Sequence, residues 1–255
     1  MVLFQPPSGP ASPFDVGEQR YAETFIWITA VIGIIWAFLL IMSYIQTRKR
    51  HHLLWGASFA VMWIAFHQVI ASGDYSIMLG PVMALMLGFI PGLLAAGLLM
   101  AVFEDKQIIG NLYALFVLIM GILIALFKFD PFYWVEDAAA LDPAAALIPS
   151  IMVMVMHIPS ALLIVVLPLI TTIKKQTRWP ALLMTVGGIL FGIVGLLLSL
   201  VVTEVVPITP IDYRFVIMAL FSVFLLLSGI CFAFGTLIPA KWNFDIPGIE
   251  FEERA

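Results

Sequence analysis

The chain has 255 residues, of which 63% are hydrophobic and 11% charged, and a formal net charge of -4. A soluble domain carries about 25% charged residues, so this chain cannot clothe a water-facing globule and its solvent is lipid. The weak negative charge argues against a nucleic-acid partner, and the one cysteine, Cys231, excludes an internal disulfide.

Residues 1–23 open with MVLFQPPSGPASPFD. This stretch has no basic n-region, and its Pro, Gly and Ser content predicts a mobile tail outside the cytoplasm. The run from Thr24 to Ile45 then carries no formal charge. At 1.5 Å per residue it makes about 33 Å of helix, enough to cross a bilayer core. The basic cluster Arg48-Lys49-Arg50-His51-His52 follows it directly.

Six further apolar runs follow, at 53–72, 77–102, 108–127, 145–172, 180–203 and 212–238. Runs three and four are joined only by FEDKQIIGN. A re-entrant hairpin there would reduce the crossings to five. The longest connection holds Phe132, Tyr133 and Trp134, an aromatic cluster suited to the membrane interface. Residues 240–255 form a short acidic cytoplasmic tail, either disordered or docked on a partner. Spans 1–3 and 5–7 allow an inverted repeat, a common transporter plan, although the two stretches do not align by eye.

Cations set the orientation. With the N-terminus outside, the inner side holds Arg48, Lys49, Arg50, Lys106, Lys174, Lys175, Arg178, Lys241 and Arg254. The outer side holds Arg20, Lys128 and Arg214. The expectation is an all-α integral membrane protein. It is a bundle of seven transmembrane helices over 24–239, N-terminus outside and C-terminus cytoplasmic, multi-pass in the cell membrane.

Polar groups at depth are few, and each is costly there without a partner. No span carries Asp, Glu, Lys or Arg near its middle, which argues against an ion-coupled pump built on buried carboxylates. His67, followed by Gln68, falls in the outer half of span 2. His157 falls near the midplane of span 5. Imidazole can ligate a haem iron or a chlorophyll magnesium, or hydrogen-bond a neighbouring helix. The latter is the commoner role. Rise arithmetic places the two rings about 5 to 8 Å apart along the normal, poor for one axial pair. Met152, Met154 and Met156 point in alternating directions on a helix and cannot form one copper cluster. Pro91, Pro159 and Pro168 remove backbone donors inside helices and predict kinks. Gly188 and Gly192 form a GxxxG pair that predicts close helix packing.

No HExxH, GxSxG, CxxC or phosphate-cradling loop occurs. These absences lean toward a non-catalytic chain and leave an activity open. Span 7 offers no lysine to anchor retinal. The layout, seven spans with the N-terminus outside, is similar to the membrane sensor modules of prokaryotic signalling proteins. That similarity is one of architecture, and such modules precede an output domain that this sequence lacks. The expected function is a non-catalytic sensor or receptor-like module, or a membrane subunit of a larger complex, with lipid and other membrane chains as partners. One alternative is a small transporter or channel for an uncharged or amphipathic solute. Another is a haem- or pigment-binding protein using His67 and His157.

Overall fold

The structure is a computed structural model, and it describes residues 18–72, 81–129, 143–174, 177–202 and 211–237. These form seven α-helices and no strand among the described residues. They are α1 Glu18–Thr47, α2 Arg50–Ser72, α3 Pro81–Val102, α4 Gln107–Phe129, α5 Pro143–Ile173, α6 Leu182–Val202 and α7 Ile211–Leu237. Short 3-10 turns at Glu104–Lys106 and Trp179–Ala181 precede α4 and α6. Helices are the expected outcome, because a segment in hydrocarbon must satisfy its own backbone groups.

Five stretches are long and apolar enough to cross a membrane: Thr24–Thr47, Gln107–Ile124, Met154–Ile173, Trp179–Leu197 and Ala219–Thr236. Gly88–Val102 of α3 is a shorter apolar stretch. Helix α2 opens on Arg50, His51 and His52 and carries His67, which dilutes its hydropathy. The chain is thus a multi-pass membrane protein in contact with lipid.

Helix limits depart from the apolar runs in one place that matters. Helix α1 starts at Glu18, a turn and a half before the uncharged run. Glu, Gln, Arg and Ala are good helix formers, so the helix extends beyond the part that hydropathy marks. The aromatic cluster at 132–134 and the C-terminal tail lie outside the described residues. Helices α3 and α5 continue through Pro91 and through Pro149, Pro159 and Pro168.

Contacts fix the direction of each helix. On α1 and α2, Gly33 meets Phe59 and Trp63, Gly56 meets Ala37 and Ile41, and Ser43 meets His52. Partners fall as numbers rise, so the pair is antiparallel. The same holds for α2 and α3, where Ser58 Oγ donates to Ile90 O at 2.9 Å and Trp55 Nε1 to Leu94 O at 3.1 Å. On α3 and α4, Phe89 meets Gly121, Gly92 meets Val117 and Ala96 meets Gly110. Thr185 Oγ1 donates to Val165 O at 2.9 Å between α6 and α5, and Ser228 Oγ to Gly187 O at 2.9 Å between α7 and α6. Helices α1 and α7 run parallel, because Thr29 meets Gly229 and Trp36 meets Phe234.

The helices close into a ring in the order α1, α2, α3, α5, α6, α7, with α7 back against α1. Helix α4 stands outside, in the groove between α3 and α5. Tyr113 of α4 and Ser160 of α5 share a hydrogen bond of 2.9 Å there. Counting directions round the chain, α1 and α5 point the same way. Any relation between α1–α3 and α5–α7 is therefore parallel, and the inverted repeat allowed by the sequence is excluded.

One apolar core joins the ring, with Leu40, Phe59, Phe66, Leu94, Ile164, Phe191, Phe221 and Phe232 buried in it. A satellite of Val117, Ile124 and Met156 seats α4. Met156 is buried while Met154 is 48% exposed, as their spacing requires. Glycine sets several of the closest approaches. A Cβ on Gly33 would lie 3.0 Å from Phe59 O and 3.1 Å from Trp63 N, backbone atoms that cannot swing aside. Gly235 meets Met184 N at 3.0 Å in the same way. With no hydrophobic drive between helices in lipid, such close packing is what holds them together.

Candidate functional site

The most polar buried site lies at the α1–α2 turn. Helix α1 ends at Thr47, and Arg48 takes the left-handed conformation with φ 57. That conformation reverses the chain so that α2 starts at Arg50. A non-glycine residue there carries strain, which the local bonds offset. Arg48 N–H donates to Tyr44 O at 2.8 Å and His52 N–H to Lys49 O at 3.1 Å. Thr47 Oγ1 donates to Ser43 O at 2.8 Å and accepts from Lys49 N–H at 3.3 Å.

The reversal brings His52 under the end of α1. Its Nδ1 lies 3.1 Å from Ser43 Oγ and 3.1 Å from Thr47 Oγ1. The His51 ring sits 4.3 Å from that of His52 and 5.0 Å from that of Trp55. Trp55 in turn bonds α3 through Leu94 O, and Gly97 leaves it the room to do so. Lys49 Nζ reaches Glu104 at 3.9 Å, linking the α1–α2 turn to the α3–α4 turn. Desolvation lowers the His52 pKa from 6.5 to about 4, and the nearby Lys49 charge adds to the effect.

In the sequence Arg48, Lys49 and Arg50 count toward orientation, and His51 and His52 stand beside them in one basic cluster. The structure divides them. Arg48 and Arg50 are exposed and Lys49 half-buried, while His51 and His52 are buried. The partners of His52 come from the preceding helix, nine and five positions back, and no sequence spacing marks them.

The residues singled out from sequence lie elsewhere. His67 is exposed on α2, stacked on Trp63 at 5.5 Å and edge-on to Trp27 at 5.8 Å. The Gln68 side chain lies outside the described residues. His157 is half-buried on α5, stacked on Phe191 of α6 at 5.9 Å. One ring sits between α1 and α2, the other between α5 and α6, so the structure does not bring them together. Among the described residues no group of three or more His, Cys, Asp or Glu could hold a metal ion.

The GxxxG pair is not one surface. A Cβ on Gly188 would lie 2.9 Å from the side chains of Ile164 and Val165 on α5. At Gly192, one turn on, nothing stands within 4 Å. Pro91 and Pro168 are buried and Pro159 is half-buried.

Chemically, the cluster at the α1–α2 turn is made of imidazoles and hydroxyls within one hairpin, with one ion pair reaching the next. The His157 site is a single imidazole at the border of two helices. No family model, no curated protein and no solved structure matches the chain.

Proposed function

We propose that the chain is a seven-span, non-catalytic membrane module of the receptor or sensor type, N-terminus outside, that passes a change in helix packing to a partner chain at its inner face. The supporting observation is the joint at the α1–α2 turn. Its buried polar contacts close the α1–α2 hairpin, and the Trp55–Leu94 bond and the Lys49–Glu104 pair link that hairpin to α3 and the α3–α4 turn. Cation counting assigns this end of the bundle to the cytoplasm. A shift of either hairpin changes these contacts, and through them the inner face on this reading. Several buried polar groups act as interhelical ties, as Trp55, Ser58, Thr185 and Ser228 do on facing carbonyls.

Purification from native membranes in mild detergent tests the reading. The expected result is a partner chain in fixed ratio, cross-linked through Lys49, Lys106 or Lys174. A protein that emerges alone and moves an uncharged solute across proteoliposomes would establish the rival reading, a small transporter. That rival draws on Pro91 and Pro159, which lie on the adjacent parallel helices α3 and α5.

A further inference from the structure

The turn between α5 and α6 sets charge directly against hydrocarbon. One apolar stretch ends at Ile173 and the next begins at Trp179. Lys174 and Arg178, both exposed, are the residues just outside these two ends. Ile173 and Trp179 are 70% and 67% exposed, the two most exposed large apolar side chains among the described residues. Apolar groups this open belong in acyl chains and an indole belongs at the interface. The two cations beside them therefore stand at the height of the lipid phosphates.

The turn holds this arrangement by its own bonds. Thr177 N–H donates to Thr171 O at 3.2 Å, and Lys174 N–H to Ile170 O at 2.9 Å. Thr171 Oγ1 donates to Leu167 O, Thr177 Oγ1 to Thr171 Oγ1, and so Thr172 Oγ1 to Thr177 Oγ1. Each hydroxyl proton is used within the turn. The two cations leave from either side of this closed ring.

No protein carboxylate answers their charge. The sequence from 143 to 203 contains Lys174, Lys175 and Arg178 and no Asp or Glu. Among the described residues the ion pair is Lys49–Glu104, at the other two turns of this end. A zwitterionic lipid brings its own cation to its phosphate, whereas an anionic lipid leaves that phosphate for the protein. Clustered Lys and Arg beside a membrane span favour such a lipid.

We propose that the α5–α6 turn binds the phosphodiester head of an anionic phospholipid between Lys174 and Arg178, with Trp179 beside the glycerol backbone. An acyl chain lies along the exposed stripe of α5 formed by Ile173, Ile170, Val166 and Leu162, which recur at helical spacing. The site needs only contact with lipid and stands apart from the sensor reading.

The test uses the full chain in phosphatidylcholine nanodiscs and quenching of tryptophan fluorescence by brominated acyl chains. The difference between wild type and Trp179→Phe isolates the Trp179 signal. At equal mole fraction, brominated phosphatidylglycerol should quench this signal more strongly than brominated phosphatidylcholine. The preference should fall about fivefold or more in Lys174→Gln/Arg178→Gln, the scale of one cation near a charged lipid surface. Both side chains are exposed, so the melting temperature should not change. Arg48→Gln/Arg50→Gln should keep the preference. Equal quenching by the two lipids in the wild type, a comparison that needs no cation variant, would overturn the site. So would a preference that survives Lys174→Gln/Arg178→Gln, or one lost equally in Arg48→Gln/Arg50→Gln, which would belong to the charge of the whole rim. Competition by inorganic phosphate would assign the cations to a free anion. A preference that emerges only when Asp245, Glu250, Glu252 and Glu253 are made uncharged would assign them to the chain's own acidic residues. Either result would also overturn the proposal.

Discussion

His52 shows how a turn changes a residue's chemistry. In a free peptide it would be half protonated near pH 6.5, but burial, with the Lys49 charge adding to it, lowers its pKa to about 4. The unfolded chain therefore takes up its proton first as the pH drops. Stability from this group is intact above about pH 6.5 and declines as pH falls toward 4, by up to about 3 kcal/mol. Thermal unfolding between pH 7.5 and 4.5 should show this acid limb in the wild type and a flatter one in His52→Gln. Equal slopes would mean that another group titrates. The burial of His51 and His52 was not legible in the sequence. A histidine beside Arg-Lys-Arg reads as part of a solvated cluster, and only the left-handed Arg48 turns the pair inward. The mid-helix position of His157 follows from its place in an apolar run. The side it faces does not.

At the level of helices, Gly188 and Gly192 separate two uses of one spacing. Residues four apart share a helix face, so the motif shows that the two glycines look the same way, without showing what they look at. Ile164 and Val165 press on Gly188, and nothing reaches Gly192. Gly188→Leu should therefore lower stability by about 1–3 kcal/mol through overpacking. Gly192→Leu should leave the melting temperature unchanged. Melting both variants in the same detergent checks the contrast, and equal losses would place Gly192 in a helix contact. The helices themselves were legible, since uncharged runs of this length have few alternatives in lipid. Their partners were not. On α1 the exposed Trp27 and Phe38 are as apolar as the buried Ile26 and Leu40. Hydrophobic periodicity, which finds the inner face of a soluble helix, has little contrast to work with when the solvent is also apolar.

For the molecule as a whole, the direction of every helix depends on one assignment. In a Cys231→Ser background, single cysteines at Ser8 and Gly73 should react with an impermeant reagent from outside, and one at Thr177 only from inside. Labelling of Thr177 from outside would reverse the orientation argued from the cations. The closure of α7 on α1 was hidden from the sequence, because it joins the most distant elements of the chain. The alternation of directions was legible in the short connections.

Helix α4 contributes little to the main core, yet on the seven-span reading proposed above it decides which way up half of the protein stands. Two three-helix units can share a direction only if an odd number of passes separates them, and α4 is that odd pass. A chain spliced from α3 to α5 would keep all the ring-forming sequence and still be unable to build the ring. Its last three helices would enter the bilayer upside down, with Lys174, Lys175 and Arg178 on the wrong side and α7 antiparallel to α1. The helix outside the ring is a parity element. Its length and its presence matter more than the identity of its side chains.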